Sequence, residues 1–412
     1  MSKRTSRTVS VVLAVAVSTA AALATSSVPA AAAPYPGSAS IQFPSLEPGV
    51  YSSEFKAANA NGDSVSEVIV GDLSRGEYIR TFAMLWPVDG RASELTLLPG
   101  DVGGSPTGIN NARTVVGTST SPGAGIQGHA VRWSSPSTPS ELLPLPGDTA
   151  ATPAAISDNG TAVGSSRGAA SVHAVAWPVS GAPVALPPLP GDTESVAVAV
   201  NSSGAAVGYS YPAGGIGSER AVVWGPDGTV TALAAPAGYV TSSATRITDS
   251  GIIIGTGRPG APTGADHALV WNAAGAVADL GAGSRARAVN NGGTVVGNLG
   301  GQAARWSADG TPLPLAPSTL TSVATGINDQ GAIVGYTSDP PPARAQFYAQ
   351  RWEPDGSVTA LPEWASVYPY STAYFITDSG IVVGELMLPG LAANGRPEVV
   401  RWHPQPARAR PG

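Results

Sequence analysis

The 412-residue sequence contains no cysteine, few charged residues and no cluster of basic side chains. Without cysteine the chain can form no disulfide, no thiolate metal site and no lipid anchor on an N-terminal cysteine. Charged residues make up only 12% of the chain, and the formal net charge is −6. Because nucleic-acid binding depends on the neutralisation of phosphates, nucleic acid is not an expected partner.

Turn-forming residues are abundant instead. The 51 glycines and 38 prolines amount to about twice the ordinary share. They favour tight turns over long helices, while a hydrophobic share of 42% suffices for a packed core. The composition therefore favours short strands joined by turns.

The N-terminus has the features of an export signal. Basic residues Lys3, Arg4 and Arg7 precede an apolar run over residues 11–24, which is short for a membrane span. Small residues follow, and cleavage after Ala32 satisfies the usual pattern. We predict a secretory signal peptide over residues 1–32 and an extracellular mature chain, with an uncleaved membrane anchor as the less favoured alternative. No later segment is apolar enough to span a membrane.

A repeat runs along the rest of the chain. Seven copies of the pattern Ile/Val-polar-polar-x-Gly-x-apolar-apolar-Gly share one length: Ile109–Gly117, Ile156–Gly164, Val200–Gly208, Ile247–Gly255, Val289–Gly297, Ile327–Gly335 and Ile376–Gly384. A looser eighth copy spans Asn59–Gly71. Each copy is followed by a segment that ends in tryptophan: Trp86, Trp133, Trp177, Trp224, Trp271, Trp306, Trp352 and Trp402. The period of about 45 residues is typical of one four-stranded propeller blade.

The third copy along the chain, Ile156–Gly164, shows how one repeat folds. A first strand ends at Ile156, the tight turn Ser157–Gly160 follows, and Thr161–Gly164 opens a second strand. His173–Trp177 forms the third strand, and a fourth follows a second turn, as in Val230–Leu233 of the next repeat. The periodic tryptophans are predicted to be structural because their bulk fills the space between blades.

The two ends of the chain suggest how the ring closes. The last repeat stops at Trp402 without a fourth strand, and residues 404–412 form a tail rich in proline and arginine. Ile41–Gly49 resembles the fourth strand and exit loop of other repeats. We predict an all-β, eight-bladed propeller over residues 33–403 in which an N-terminal strand completes the last blade. Seven blades with a divergent cap is the alternative, and a monomer is expected.

The repeat segment Ile327–Gly335, followed by an Ala-Val-x-Trp type of segment and a Leu-Pro-Gly link, resembles the HAF family of probable extracellular repeats. The resemblance covers nearly the whole mature chain and implies export and a propeller-type fold. It carries no established reaction and no catalytic residue. Arg113 departs from the pattern because it stands where other copies have the turn glycine.

Few residues point to chemistry. His129, His173 and His267 occupy one repeat position, four residues before the tryptophan, which favours a half-exposed structural role over a metal or catalytic role. No catalytic motif, metal site or cofactor is predicted. Three Pro-Gly-Asp links, with Asp101, Asp148 and Asp192, have the residue type for a Ca²⁺ site, but separate blades make a poor cage and turn chemistry is favoured.

Aromatic residues outside the periodic positions give the candidate ligand site. Trp364, Tyr368, Tyr370 and Tyr374 crowd the connection between the seventh and eighth repeats, beside Glu363. Such surfaces stack against sugar rings, although aromatic bulk more often serves packing, so Trp364 as a cover for an inter-blade gap is the favoured alternative. Tyr209 and Tyr211 form a smaller version in the fourth repeat.

We therefore predict a secreted binding or scaffold module of the bacterial exterior, with polysaccharide, another envelope component or a protein as partner. One alternative is a secreted glycan lyase or hydrolase, for which Glu54, Glu67 and Glu363 are candidate acids. Another is a structural protein of the cell surface without a small ligand.

Overall fold

The computed structural model describes residues 33–34, 38–41, 51–72, 77–122, 128–215, 217–260, 264–316, 318–339, 346–362, 370–387 and 397–404. All of them belong to one compact unit, Ala32–Gly412. Within these ranges the regular elements are β-strands, and no helix occurs that is long and apolar enough to cross a membrane.

The strands form eight antiparallel blades in chain order. Two short strands come first, β1 (Ala33–Pro34) and β2 (Ser38–Ile41). Blade 1 consists of β3 (Tyr51–Ala58), β4 (Ser64–Asp72), β5 (Glu77–Trp86) and β6 (Ser93–Glu94), and blade 2 of β7 (Gly103–Ile109), β8 (Val115–Thr120), β9 (His129–Trp133) and β10 (Pro139–Glu141). Blade 3 consists of β11 (Ala150–Ile156), β12 (Ala162–Arg167), β13 (Val172–Trp177) and β14 (Val184–Leu186), and blade 4 of β15 (Glu194–Val200), β16 (Ala206–Tyr211), β17 (Arg220–Trp224) and β18 (Val230–Ala232). Blade 5 consists of β19 (Tyr239–Ile247), β20 (Ile253–Pro259), β21 (His267–Trp271) and β22 (Val277–Ala282), and blade 6 of β23 (Arg285–Val289), β24 (Val295–Leu299), β25 (Gln302–Trp306) and β26 (Pro312–Leu313). Blade 7 consists of β27 (Thr321–Ile327), β28 (Ile333–Ser338), β29 (Phe347–Trp352) and β30 (Val358–Ala360), and blade 8 of β31 (Ser371–Ile376), β32 (Val382–Met387) and β33 (Pro397–His403).

An N-terminal strand closes the ring. β2 pairs antiparallel with β33, from Ser38 opposite His403 to Ile41 opposite Val400, and so supplies the fourth strand of blade 8. This confirms the predicted eight-bladed, all-β propeller, and the seven-blade alternative is wrong. The closing strand lies just upstream of the segment predicted for it, of which residues 42–49 lie outside the described residues. β1 adds a short parallel strand to the outer edge of blade 7.

The last glycine of each repeat is required by a close approach of two backbones. Every first strand carries a β-bulge at the same point, for example between Ala197 and Ala199 in blade 4. At the bulge a carbonyl of the first strand lies very close to the second strand. In blade 4 this is the carbonyl of Val196, and a Cβ on Gly208 would lie 1.9 Å from its oxygen. In the seven blades that carry this glycine a Cβ would meet the same carbonyl, which explains why seven copies of the repeat pattern end in glycine.

The first repeat is regular rather than stretched. Ala58 pairs with Ser64, Ala57 with Val65 and Phe55 with Ser66, which is the register of the other blades. Ser66 therefore occupies the place of the last glycine, and its hydroxyl accepts a hydrogen bond from Trp86 Nε1 at 2.7 Å. The assignment of Gly71 to that place was wrong, because sequence pattern alone gives weight to glycine and none to register.

Tryptophan and serine side chains join neighbouring blades. The eight periodic tryptophans are at most 3% exposed, which confirms their structural role. In six blades a serine in the first strand, or in blade 6 directly before it, accepts a hydrogen bond from the backbone N–H three residues before the tryptophan of the preceding blade: Ser53, Ser195, Ser242, Ser284, Ser322 and Ser371. The residue at that point is usually alanine, because a larger side chain would hold the next blade away.

The two faces of the ring differ in their connections. Since the strands of a blade run antiparallel in order, the turns after the first and third strands lie on one face, called here the turn face. The loops between second and third strands and the links between blades lie on the other, the link face. On the turn face each blade holds the next: Asn110 Nδ2 donates to Ser157 O at 3.1 Å, and Asn290 Nδ2 donates to Asn328 O at 3.0 Å.

Arginines next to the tryptophan strengthen these contacts. Arg132 Nη2 donates to Trp177 O at 2.7 Å, from blade 2 to blade 3. Arg401 does the same across the closure, with hydrogen bonds to Gly62 O at 2.9 Å and to Trp86 O. The junction of blades 8 and 1 is therefore built like the junctions inside the chain.

Candidate functional site at the junction of blades 7, 8 and 1

Two of the five predicted site residues lie in the described part of the chain. Tyr370 directly precedes β31 on the link face, and Tyr374 is the bulged residue in the middle of β31. The other three, Glu363, Trp364 and Tyr368, lie outside the described residues.

Aromatic rings form a chain across blades 7 and 8. Phe347 packs edge-on against both Tyr336 and Tyr370, with ring centroids 5.5 and 5.2 Å apart. All three rings are half-buried. On the other side of blade 8, Tyr374 stacks on Phe55 of blade 1 at 5.4 Å. The described tyrosines therefore serve packing between blades and keep part of each ring accessible.

A buried glutamate lies beneath the stacked pair. Glu385 of β32 is 4% exposed and accepts hydrogen bonds from Phe55 N at 2.7 Å and from the Tyr374 hydroxyl at 3.1 Å. Burial raises the pKa of Glu385 above its usual range, although these two hydrogen bonds oppose the shift. Burial and the charge of Glu385 in turn raise the pKa of Tyr374.

A second buried glutamate lies near the closing strands. Glu398 of β33 is also 4% exposed, and its carboxyl accepts a hydrogen bond from Ser53 Oγ at 2.8 Å. Burial raises the pKa of Glu398 to about 7, with the Ser53 hydrogen bond acting against the shift and the charge of Glu385 adding to it. Ser53 is the serine that joins blade 1 to blade 8, so this carboxyl is part of the ring closure.

The accessible charges at this junction belong to blade 1. Lys56 Nζ contacts Glu54 Oε2 at 3.0 Å and Glu67 Oε2 at 2.9 Å. Glu54 is largely exposed, whereas Glu67 is mostly covered and also accepts a hydrogen bond from Ser105 Oγ. Burial works against the charge on Lys56, but the hydrogen bonds to Glu67 and Glu54 outweigh it and raise the pKa of Lys56. Two predicted acids therefore meet on one ammonium group.

This arrangement suits binding better than acid–base catalysis. Glu385 and Glu398 are too buried to touch a ligand without movement of the blades, and Lys56 forms ion pairs with both the exposed Glu54 and the mostly covered Glu67. Among the described residues no group of three or more His, Asp or Glu side chains could hold a metal ion. The half-buried rings and the exposed carboxylate of Glu54 remain as surfaces that a ligand can contact.

Two of the three predicted histidines pair with the aspartates of Pro-Gly-Asp links, and the third, His267, pairs with Asp279 at 2.8 Å. His129 Nδ1 lies 3.1 Å from Asp101 Oδ2, and His173 Nδ1 lies 3.0 Å from Asp148 Oδ2. Serine hydroxyls donate to the same carboxylates, for example Ser166 Oγ to Asp148 Oδ2 at 2.6 Å. Because the carboxylate stands between serine and histidine, the histidine cannot take the serine proton as it does in a catalytic triad. These groups fix the links in place.

Glu385, Glu398 and Phe55 were missed at the sequence level. Glu385 directly follows the last glycine of its repeat, but its equivalence to Glu67 depends on strand register, which the sequence pattern does not display. Glu398 likewise gave no signal, because its role depends on a contact with Ser53, a residue far away in the chain.

No family model and no curated protein matches the sequence. Solved structures do show similarity. A catalytically inactive variant of virginiamycin B lyase from Staphylococcus aureus, in complex with quinupristin, is 10% identical over 89% of this chain and 99% of its own, with a TM-score of 0.44. A puromycin-hydrolysing peptidase from Mycobacterium tuberculosis is 14% identical over 87% of this chain and 62% of its own, with a TM-score of 0.46. The β-propeller domain of the trilobed protease from Pyrococcus furiosus is 8% identical over 85% and 93%, with a TM-score of 0.41. At these identities the likeness concerns the fold and not the chemistry.

Proposed function

We propose that this protein is an exported binding module of the bacterial exterior that recognises polysaccharide on the link face of blades 7, 8 and 1. The supporting observation is the chain of half-buried rings formed by Tyr336, Phe347 and Tyr370. Sugar rings present C–H faces that stack on such aromatic surfaces, and their hydroxyls donate hydrogen bonds to carboxylates such as that of Glu54. The proposal includes residues 1–32 as an export signal and membership of the HAF repeat family.

A second candidate function is glycan cleavage. It is favoured by one observation, the meeting of Glu54 and Glu67 around Lys56, because glycosidases work with two carboxylates a few ångströms apart. In such an enzyme Lys56 would have to leave one of the two acids when substrate binds.

The test is retention of the purified protein on a panel of insoluble and arrayed polysaccharides, with release of soluble products measured in the same wells. Retention without products supports the binding module. Released products support the enzyme, and loss of release in Glu54→Gln and Glu67→Gln would assign the acids. Neither retention nor release would refute polysaccharide recognition and leave a protein partner or a structural role.

A variant pair then tests the site. Tyr370→Ala removes the ring that bridges blades 7 and 8, and we expect it to lose retention. Tyr211→Ala is the matched control, because Tyr211 also packs on an aromatic ring, that of Tyr209, with centroids 6.0 Å apart, but in blade 4. Equal retention of both variants, at melting temperatures that match, would exclude this junction as the binding surface.

A further inference from the structure

The centre of the ring holds a cavity that the polysaccharide proposal does not use. Its volume is about 460 Å³, and residues of all eight blades line it near the turn face. A cavity of this size lies within the range of sites for small molecules. Tyr374, which stacks on Phe55, also lines this cavity, whereas Tyr336, Phe347 and Tyr370, the rings of the polysaccharide proposal, do not belong to the lining.

The repeat builds the cavity wall in layers. The outermost layer consists of turn residues such as Asp158, Asp249 and Asp329. Below them lies the first apolar residue of the repeat pattern, for example Val200, Ile247 and Val289. A ligand that enters from the turn face therefore passes a polar rim and then meets an aliphatic collar.

The next layer is made of very small residues with one charged exception. Strand register places Ala57, Gly108, Ala155, Ala199, Ala288 and Gly326 at equivalent positions, directly after the bulge of each first strand. In blade 5 the same position holds Arg246. Phe375 takes it in blade 8. The small residues leave the lumen open, and Arg246 extends a cation into it.

Arg246 is not neutralised by the protein around it. It makes no side-chain hydrogen bond or ion pair with any residue that the structure describes, unlike Arg132 and Arg401, whose guanidinium groups donate to carbonyls of the next blade. Its side chain is exposed, and that exposure is toward the channel, since Arg246 belongs to the cavity lining. Enclosure by the blades lowers the pKa of Arg246, and no neighbouring acid contributes to the shift.

The acids of the rim do not pair with Arg246 because they are engaged elsewhere. Asp249 accepts hydrogen bonds from Ser202 N at 2.8 Å and Ser202 Oγ at 3.0 Å. Asp329 accepts from Asn291 N and Asn291 Nδ2, both at 2.9 Å. These carboxylates hold consecutive turns together, and the guanidinium below them keeps its donors free.

We propose that the central channel binds a small organic monoanion, with its carboxylate on the guanidinium of Arg246 and its apolar body against the aliphatic collar. The planar fork of arginine matches a carboxylate through two parallel hydrogen bonds. An enclosed cation without a partner is costly, and an anion with an aliphatic body removes that cost while it buries apolar surface. The proposal is independent of polysaccharide recognition on the link face.

The test uses hexanoate as the probe and hexylammonium as its counterpart with the opposite charge, each titrated into the purified protein by calorimetry. We expect saturable binding of hexanoate in the millimolar range or tighter and none of hexylammonium. Arg246→Ala restores the small residue found at this position in six other blades, so it should fold, and we expect it to weaken hexanoate binding at least tenfold. Arg91→Ala, which removes an exposed arginine at the outer turn of blade 1, serves as the charge-matched control.

Melting temperatures with and without hexanoate distinguish binding at Arg246 from a general effect of the removal of one arginine. Without ligand, Arg246→Ala should melt at or above the temperature of the unchanged protein, because the variant lacks the unpaired cation. Hexanoate should raise the melting temperature of the unchanged protein and of Arg91→Ala but not of Arg246→Ala. Equal binding of hexanoate and hexylammonium, binding that survives Arg246→Ala, or no saturable binding of hexanoate would each overturn the proposal.

Discussion

The replacement Glu398→Gln tests how a buried acid at the ring closure affects stability. The pKa of Glu398 is raised from 4.5 to about 7 in the folded protein, chiefly by burial. Below pH 4.5 the carboxyl is protonated in both the folded and the unfolded chain. Between these two values the unfolded chain releases the proton first, so the contribution of this group to folding is fully present at low pH and is lost as the pH rises.

The size of the effect follows from the shift. At about 1.4 kcal/mol per pH unit, ionisation of Glu398 weakens folding by about 3 kcal/mol above pH 7. The glutamine side chain of the variant would stay neutral at every pH, and its amide oxygen can still accept the Ser53 hydroxyl. The variant should therefore match the unchanged protein near pH 4 and exceed it at pH 8. For a chain of this length 3 kcal/mol corresponds to a rise in melting temperature of about 4 °C.

The assay is thermal unfolding of both proteins followed by circular dichroism at half-unit steps from pH 4 to pH 8.5. The informative quantity is the difference between the two melting temperatures as a function of pH. Glu141→Gln, which changes an exposed acid on β10, controls for the loss of a carboxylate from the surface. If the Glu398→Gln difference does not change with pH, or changes no more than that of Glu141→Gln, burial of Glu398 does not control its ionisation and the reasoning is refuted.

Three further outcomes are expected. Deletion of residues 34–49 removes the strand that pairs with β33 and should lower the melting temperature by several degrees; unchanged melting would show that β2 does not hold the ring. Gly208→Ala should destabilise the protein by about 2–4 kcal/mol because its Cβ would overlap Val196 O, whereas Gly292→Ala, with its nearest atom at 3.5 Å, should change little in the same denaturation assay. Arg113 has φ 62° and pairs with the buried Asp63 at 3.0 Å, so Arg113→Ala should lower the stability of the protein because it removes the ion pair. Arg113→Gly should recover about 1 kcal/mol of that loss, because glycine adopts a positive φ without strain. Equal stability of the two variants in the denaturation assay would argue against backbone strain at this position.

Local pattern was enough to predict the blades. The strands of the third repeat occur where the nine-residue segment and the tryptophan place them, and the fourth strand of the next repeat lies at Val230–Ala232. These features depend on residues close together in the chain, namely turn residues, the last glycine and the tryptophan. The same local pattern misassigned the first repeat, because only the pairing of β3 with β4 shows that Ser66 replaces the glycine.

The candidate sites were less accessible to sequence reasoning. Tyr370 and Tyr374 were selected as ligand-binding aromatics, and the structure gives each a packing partner from a neighbouring blade, Phe347 and Phe55. Glu54 and Glu67 were named as candidate acids without a spacing argument. Their approach to one lysine follows from β-pairing between β3 and β4, which sequence spacing does not display.

The sequence by itself determined the period, the strand order within each blade and the need for a closing strand, because these depend on turns and packing residues that recur at fixed separations. The tertiary structure alone decided how charges are distributed. Glu398 acquires its altered pKa from burial across the junction of the two chain ends, where Ser53 meets it. Arg246 has no partner among the described residues because the repeats close into a ring around it and place alanine, glycine or, in blade 8, Phe375 at the equivalent positions. Solvation and pairing of a charge depend on everything that surrounds it in space, whereas a turn or a strand depends mainly on its neighbours in the chain.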